Sequence, residues 1–173
     1  KRLIAYSSIG HMGYALAGLA TGSNGGIQST VIYISIYLIM NLGIFSCIFM
    51  MKRQNIFYEE VQDLSGLSKN HPIISICLLV ILFSLAGIPP LAGFFAKFYI
   101  FMAVIKMKMY ALAIIGLITT VISAFYYLRI IKVIYFDDPK EIFEANKNLG
   151  LRVSLFFSTI IILIYFIYPT LLI

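Results

Sequence analysis

The stretch from Ile73 to Ile105 constrains this chain most. It is predominantly apolar, carries a single charge at Lys97, and is interrupted once by Gly87-Ile88-Pro89-Pro90-Leu91-Ala92-Gly93. A helix crossing a bilayer needs about 20 apolar residues, so this run is too long for one straight span. Pro90 has no N–H to donate, and its ring clashes with the preceding turn of a helix. The flanking glycines favour irregular backbone. The expectation is two half-helices, about 73–87 and 94–105, with residues 87–93 non-helical. Unpaired backbone at membrane depth is tolerated only where protein or a watery cavity surrounds it. Broken membrane helices commonly mark transport sites.

Four further apolar segments accompany this one. The reading is an all-α membrane protein with five transmembrane helices in a single helical membrane domain. The spans run about 3–21, 31–51, 73–105 (broken at 87–93), 110–136 and 151–173. No segment shows the ten-residue alternation of a membrane β-barrel strand. Hydrophobic residues make up 61% of the chain and charged residues 12%. Soluble domains average roughly 45–50% and about 25%, and a fold this small could not hide the excess from water. Disorder and a secreted disulfide scaffold are excluded. Cys47 and Cys77 lie inside apolar runs and act as small hydrophobes. The net charge of +6 sits mostly at segment edges, so it reads as topology charge and not as a nucleic-acid face. Lys1-Arg2 leads straight into an apolar helix, which reads as a piece of something longer or the product of a split gene.

With five spans the loops alternate sides. One side receives Lys1, Arg2, Lys52, Arg53, Lys69, Lys140, Lys147 and Arg152, with Arg129 and Lys132 close by. The other receives only Lys106 and Lys108. The positive-inside rule places the first side in the cytoplasm or mitochondrial matrix and the C-terminus opposite. Thr21–Thr30 reads as an uncharged turn. Gln54–Lys69 reads as the longest soluble loop, with Glu59, Glu60 and Asp63 balancing its bases.

Lys97 is the sharpest candidate for chemistry. A lysine near the bilayer centre costs about 2.5–3.5 kcal/mol to insert, so it either exchanges protons there or snorkels to the interface. Ser7, His11 and Tyr14 recur at i, i+4 and i+7, which makes one polar stripe on the first helix. Neutral imidazole donates at one nitrogen and accepts at the other, which suits a proton relay; a single packing hydrogen bond is the plainer role. Asn41, one turn beyond Tyr37, would hold a water or pack the second helix. Thr119, Thr120 and Ser123 can bond back to carbonyls of their own helix. Arg129 reads as an interface anchor, and His71, before Pro72, as solvated. No motif supports redox chemistry: there is no nucleotide loop, cysteine cluster or bis-histidine pattern.

Lys1-Arg2-Leu3-Ile4-Ala5-Tyr6-Ser7-Ser8-Ile9-Gly10-His11-Met12-Gly13-Tyr14 resembles the signature of antiporter-like subunits of respiratory complex I and of multisubunit sodium/proton antiporters. Leu85-Ala86-Gly87-Ile88-Pro89-Pro90-Leu91-Ala92-Gly93-Phe94 with Lys97-Phe98-Tyr99 resembles the broken twelfth helix of that family. Tyr126-Tyr127-Leu128-Arg129 is similar to the end of its thirteenth. Within the family, Lys97-Phe98-Tyr99 looks most like the subunit 2 branch of complex I. The resemblance implies an antiporter-like fold, of which this chain is the second-repeat half. It implies proton translocation, with Lys97 as the terminal lysine of a central chain beside an outlet half-channel, and His11 as the histidine of the second repeat. It also implies that NADH, FMN, iron–sulfur clusters and ubiquinone are bound by other subunits, with no cofactor or metal in this chain. Partners would be other complex I membrane subunits, neighbouring antiporter-like subunits, lipids, and a chain supplying the missing N-terminal helices. The location implied is the mitochondrial inner membrane, with the bacterial plasma membrane as alternative. The other functional reading is a subunit of a sodium/proton antiporter without redox coupling.

Overall fold

The computed structural model describes residues 2–53, 56–57, 60–139 and 148–167. Helix α1 spans Arg2–Ala20 and α2 spans Asn24–Met50. A two-residue strand pair follows, Lys52–Arg53 antiparallel to Ile56–Phe57, then a 3-10 turn at Val61–Leu64 and a short α3 at Leu67–Asn70. Helices α4 (Pro72–Ala86), α5 (Ala92–Lys106), α6 (Tyr110–Phe136) and α7 (Leu149–Ile167) complete the described chain. The central helix is α2, packed against α1, α4, α5 and α7. Two helices, α2 and α6, are long and apolar enough to cross a bilayer unaided. The expected positions at Lys1, Glu59, Lys140 and Lys147, and residues 168–173 of the fifth segment, lie outside the described residues.

The α1–α2 connection is tighter than the uncharged turn expected over Thr21–Thr30. Only residues 21–23 turn, and Asn24–Thr30 are already the opening turns of α2. So α2 starts well before Val31. The reason is capping: the Ser23 hydroxyl accepts the Gly26 N–H at 3.1 Å, which satisfies one orphan donor of the helix start. Close packing then holds these turns helical. A side chain on Gly26 would overlap the Gly18 carbonyl of α1. The Thr30 hydroxyl donates across that contact to the Ala15 carbonyl at 3.2 Å. Small residues bring helix backbones together in this way where lipid provides no hydrophobic drive.

Between α4 and α5 the helix stops at Gly87, whose left-handed backbone (φ 84°) closes the last turn of α4. Its N–H and that of Ile88 return to the Phe83 carbonyl at 3.1 and 3.0 Å, a C-terminal closure that glycine makes without a Cβ penalty. The Pro89–Pro90 peptide is cis. Helix resumes at Ala92, so Ala92 and Gly93 are helical and the non-helical stretch is 87–91, shorter than the expected 87–93. The cause is again close packing. The Gly93 N–H donates to the Ser84 hydroxyl at 2.9 Å, so the first turn of α5 is built directly on the last turn of α4.

The Gln54–Lys69 segment, expected as a soluble loop, carries the second strand at Ile56–Phe57 and further structure from residue 60 onward. Glu60 and Asp63 form a reciprocal capping box around the 3-10 turn, and Leu67 is buried. The Gly66 N–H donates to the Val133 carbonyl of α6 at 3.1 Å. Lys69 pairs with Asp138 at 3.0 Å. Ile4 of α1, Ile48 of α2, Leu64 and Ile130 of α6 line one cavity at this same end of the bundle. Lys106 lines a cavity at the other end, with Ser23, Gln28 and Tyr99. The start of α1 and the 60–71 connection therefore share one end, and the Lys106 connection lies at the opposite one.

Candidate functional site

Lys97 lies in the second turn of α5, and the α4–α5 break determines where its ammonium goes. The last carbonyls of a helix have no partner within it and carry the negative end of its dipole. At the end of α4, Lys97 Nζ donates to the Leu85 carbonyl at 3.0 Å and to the Ala86 carbonyl at 3.4 Å. Gly87 leaves room for this: a Cβ there would stand 3.2 Å from Lys97 Cδ. On its other side Nζ lies 5.2 Å from the centroid of the Tyr14 ring, within cation–π range. Lys97 is 4% exposed and has no ion-pair partner among the described residues. Its hydrogen bonds are to neutral dipoles, so the lysine keeps the freedom to bind or release a proton without breaking a salt bridge.

His11 is held just as closely. Its Nδ1 is 2.7 Å from the Tyr33 hydroxyl and its Nε2 is 2.9 Å from the Tyr127 hydroxyl. The ring stacks on Tyr37 with centroids 4.6 Å apart. The Tyr127 hydroxyl also bonds to Ser7 Oγ, which accepts the Tyr126 hydroxyl at 3.3 Å. Tyr14, the third member of the α1 stripe, bonds to the Thr120 and Thr119 hydroxyls of α6 at 2.8 and 3.2 Å. Ser7, Gly10, His11, Tyr14, Thr119 and Tyr126 border a cavity of about 310 Å³ between α1 and α6. Ala17, Phe101, Val104, Leu112, Ile115 and Ile122 also line it, and its wall is mainly apolar.

The fold thus brings Ser7, His11, Tyr14 and Lys97 into one polar region, with Gly87, Pro89, Pro90 and Gly93 at the adjoining break. Asn41 does not join it: it is half-buried farther along α2 and makes no hydrogen bond among the described residues. Arg129 is exposed. Thr119 and Thr120 bond back to the Gly116 carbonyl, as their position in a helix suggests, and also serve Tyr14. The sequence marks Tyr127 only within the Tyr126-Tyr127-Leu128-Arg129 motif and not as a partner of His11, and it does not mark Tyr33. The signal available was the Tyr33–Tyr37 spacing on α2, which marks one helix face, and the Tyr126-Tyr127 pair on α6.

The fold and the site together define a membrane protein with a buried lysine at a helix break and a histidine in a hydroxyl network. The chain belongs to the NADH:quinone oxidoreductase/Mrp antiporter transmembrane family, whose model matches residues 1–123. It is 70% identical over 170 residues to NADH-quinone oxidoreductase subunit N of Pelagibacter ubique (strain HTCC1062), covering 98% of this chain and 36% of that protein. Against subunit N of Methylobacterium nodulans identity is 52% over 169 residues, covering 98% of this chain and 35% of that one. Its fold is similar to a chain of respiratory complex I from Thermus thermophilus with bound aureothin, at a TM-score of 0.86 and 28% identity over 99% of this chain and 38% of that chain. A chain of the Mrp complex from Dietzia shares the fold at a TM-score of 0.79 and 21% identity, covering 94% of this chain and 38% of that chain. The chain spans about a third of the length of the curated relatives it matches.

Proposed function

We propose that this chain forms the C-terminal, second-repeat part of an antiporter-like subunit in the proton-translocating membrane arm of a respiratory complex I. Lys97 is the proton-exchanging group at the outlet end of the central polar axis, and His11 relays protons to or from it. The observation that carries this reading is the buried Lys97 ammonium, placed on the free carbonyls of a broken helix with no counter-charge beside it among the described residues. Burying a charge this way is costly and serves nothing in a scaffold. The complex I reading is preferred to a sodium/proton antiporter because the relatives above 50% identity are named as quinone oxidoreductase subunits.

In this reading the chain crosses the membrane five times, with α4 and α5 together making the interrupted third span. It binds no redox cofactor. NADH, FMN, iron–sulfur clusters and quinone belong to other subunits of the complex, and a further segment or chain supplies the N-terminal helices. The membrane is the bacterial plasma membrane, since the relatives named above are bacterial. The mitochondrial inner membrane is the other location consistent with the family.

The experiment that tests the function is proton uptake by vesicles bearing the assembled complex. Lys97→Ala should lower it sharply while leaving quinone reduction measurable. Uptake at the unmodified rate would overturn the transport role. Purification of the tagged protein should also bring down flavin and iron–sulfur subunits. An assembly lacking both would favour the antiporter.

The orientation has its own test. The base-rich end, with the start of α1 and Lys69, faces the cytoplasm by the positive-inside rule, and the Lys106 end faces out. A membrane-impermeant maleimide applied to intact cells should label Lys106→Cys and spare Asp138→Cys. The native thiols Cys47 and Cys77 are buried and should stay silent. The reverse labelling pattern would invert the topology.

A further inference from the structure

We propose that Tyr14 is a positioning residue for Lys97, whose ring face attracts the ammonium and repels the neutral amine. The proposal rests on the transport reading above and concerns the same site. An ammonium has three N–H groups. Lys97 Nζ donates to the carbonyls of Leu85 and Ala86 at 3.0 and 3.4 Å. The remaining partner of Nζ among the described residues is the Tyr14 ring, and Nζ lies over it at 5.2 Å from the centroid.

These partners do not treat the two protonation states alike. A neutral amine keeps two N–H groups, and two carbonyls can accept both. The carbonyls of Leu85 and Ala86 therefore bond the lysine with or without its charge. A ring face is different, because its quadrupole is negative and draws a cation. With its two N–H groups on the carbonyls, the amine turns its lone pair toward the ring, and a lone pair against a negative face is repelled. The ring is thus the contact at this site whose sign changes with the proton. Lys97 and Tyr14 are both buried, so water screens the contact little.

The fold fixes the ring from three helices. Thr119 Oγ1 and Thr120 Oγ1 each donate their single hydrogen to the Gly116 carbonyl, at 2.8 and 2.9 Å. They are left to accept from the Tyr14 hydroxyl, which donates to them at 3.2 and 2.8 Å. Phe101 of α5 meets the ring edge-on, with centroids 6.1 Å apart and planes at 82°. Tyr14 belongs to α1, its hydroxyl is tied to α6, and its flank rests on α5, which also carries Lys97. A displacement of α6 against α5 therefore moves the ring relative to the ammonium. A scaffold would need an aromatic body at position 14 but would be indifferent to the charge on its face.

The test varies that charge at constant shape. Tyr14→Phe and its mono-, di- and trifluorinated phenylalanine counterparts at the same position are introduced into the assembled complex, and proton translocation is measured in proteoliposomes. Fluorine drains density from the ring face while adding little volume, so attraction for a cation falls in steps and packing hardly changes. Translocation should fall with each fluorine, by roughly tenfold across the series, the scale of a desolvated cation–π contact. Assembled yield should stay at the Tyr14→Phe level throughout. A flat series would overturn the proposal and leave Tyr14 as packing. Loss already complete at Tyr14→Phe, with none added by fluorine, would assign the role to the hydroxyl and its threonines and also overturn it. Failure of Tyr14→Phe to assemble, or of the fluorinated forms alone, would make the ring structural and overturn it too. If the series is flat while Lys97→Ala does not translocate, this proposal falls and the role of Lys97 stands. If Lys97→Ala translocates at the unmodified rate, the transport reading itself is wrong.

Discussion

Complex carrying Lys97→Arg should assemble and reduce quinone yet translocate protons slower by roughly two orders of magnitude through this path, the scale that a positioned proton-transfer group contributes. The comparison with Lys97→Ala separates two roles. A cation whose task is to satisfy the Leu85 and Ala86 carbonyls can be replaced by another cation with several donors. Arginine would then restore function and alanine would damage assembly. A group that must lose and regain its proton cannot be replaced this way, because guanidinium does not deprotonate in proteins. Arginine and alanine then fail alike in translocation, while both assemble. Space supports the same ranking: the lysine stem already passes close to Gly87, where a Cβ would stand 3.2 Å from Cδ. A bulkier planar head has little freedom there. Full translocation by the Arg variant would return Lys97 to the status of an anchor.

The second large effect is expected at the α4–α5 junction. Gly93→Ala places a methyl group 2.7 Å from the Ser84 carbonyl carbon and 3.0 Å from its hydroxyl oxygen. The nearest obstruction is backbone, so no side-chain rotation relieves it. The first turn of α5 must move off α4, weakening the 2.9 Å bond from the Gly93 N–H to Ser84 Oγ. Overpacking of this kind costs about 1–3 kcal/mol or more, and the hydrogen bond adds about 1 kcal/mol. The complex should show less assembled subunit and a lower thermal midpoint. Ser84→Ala, which removes only the hydroxyl, should cost about 1 kcal/mol and leave assembly near normal. Displacement of α5 also carries Lys97 away from the α4 carbonyls, so residual Gly93→Ala complex should translocate poorly. An equal, small loss for both variants would show that the junction is more yielding than its geometry implies.

Much of this molecule is legible in the residues alone. Apolar runs of helical length leave a chain in lipid no alternative to helices, because every backbone group must find a partner internally. The interruption at Gly87-Ile88-Pro89-Pro90 is local chemistry, since proline lacks a donor and glycine accepts φ of 84°. The stripe of Ser7, His11 and Tyr14 follows from helical period, and the excess of lysine and arginine at one set of loops is a matter of counting. Lys97 stands out because a charge inside an apolar run demands a reason. These are short-range properties, and each is carried by residues a few positions apart.

What the residues alone could not supply are relations between helices. The early start of α2 depends on Gly26 resting against Gly18, and the helical state of Ala92 and Gly93 depends on Ser84 of another helix. Asn41 shares the character of a polar-path residue, one turn beyond Tyr37 on α2, but makes no hydrogen bond among the described residues. Tyr33 and Tyr127 look like ordinary membrane aromatics in sequence. They become the two partners of His11 only because α2 and α6 close on α1 from either side. Sequence determined the helices, the break and the lysine inside an apolar run, since these follow from backbone satisfaction and the cost of charge in lipid. Tertiary structure alone decided which hydroxyls meet the imidazole, since hydrogen bonds across 22 and 116 residues are formed by packing and not by any local pattern.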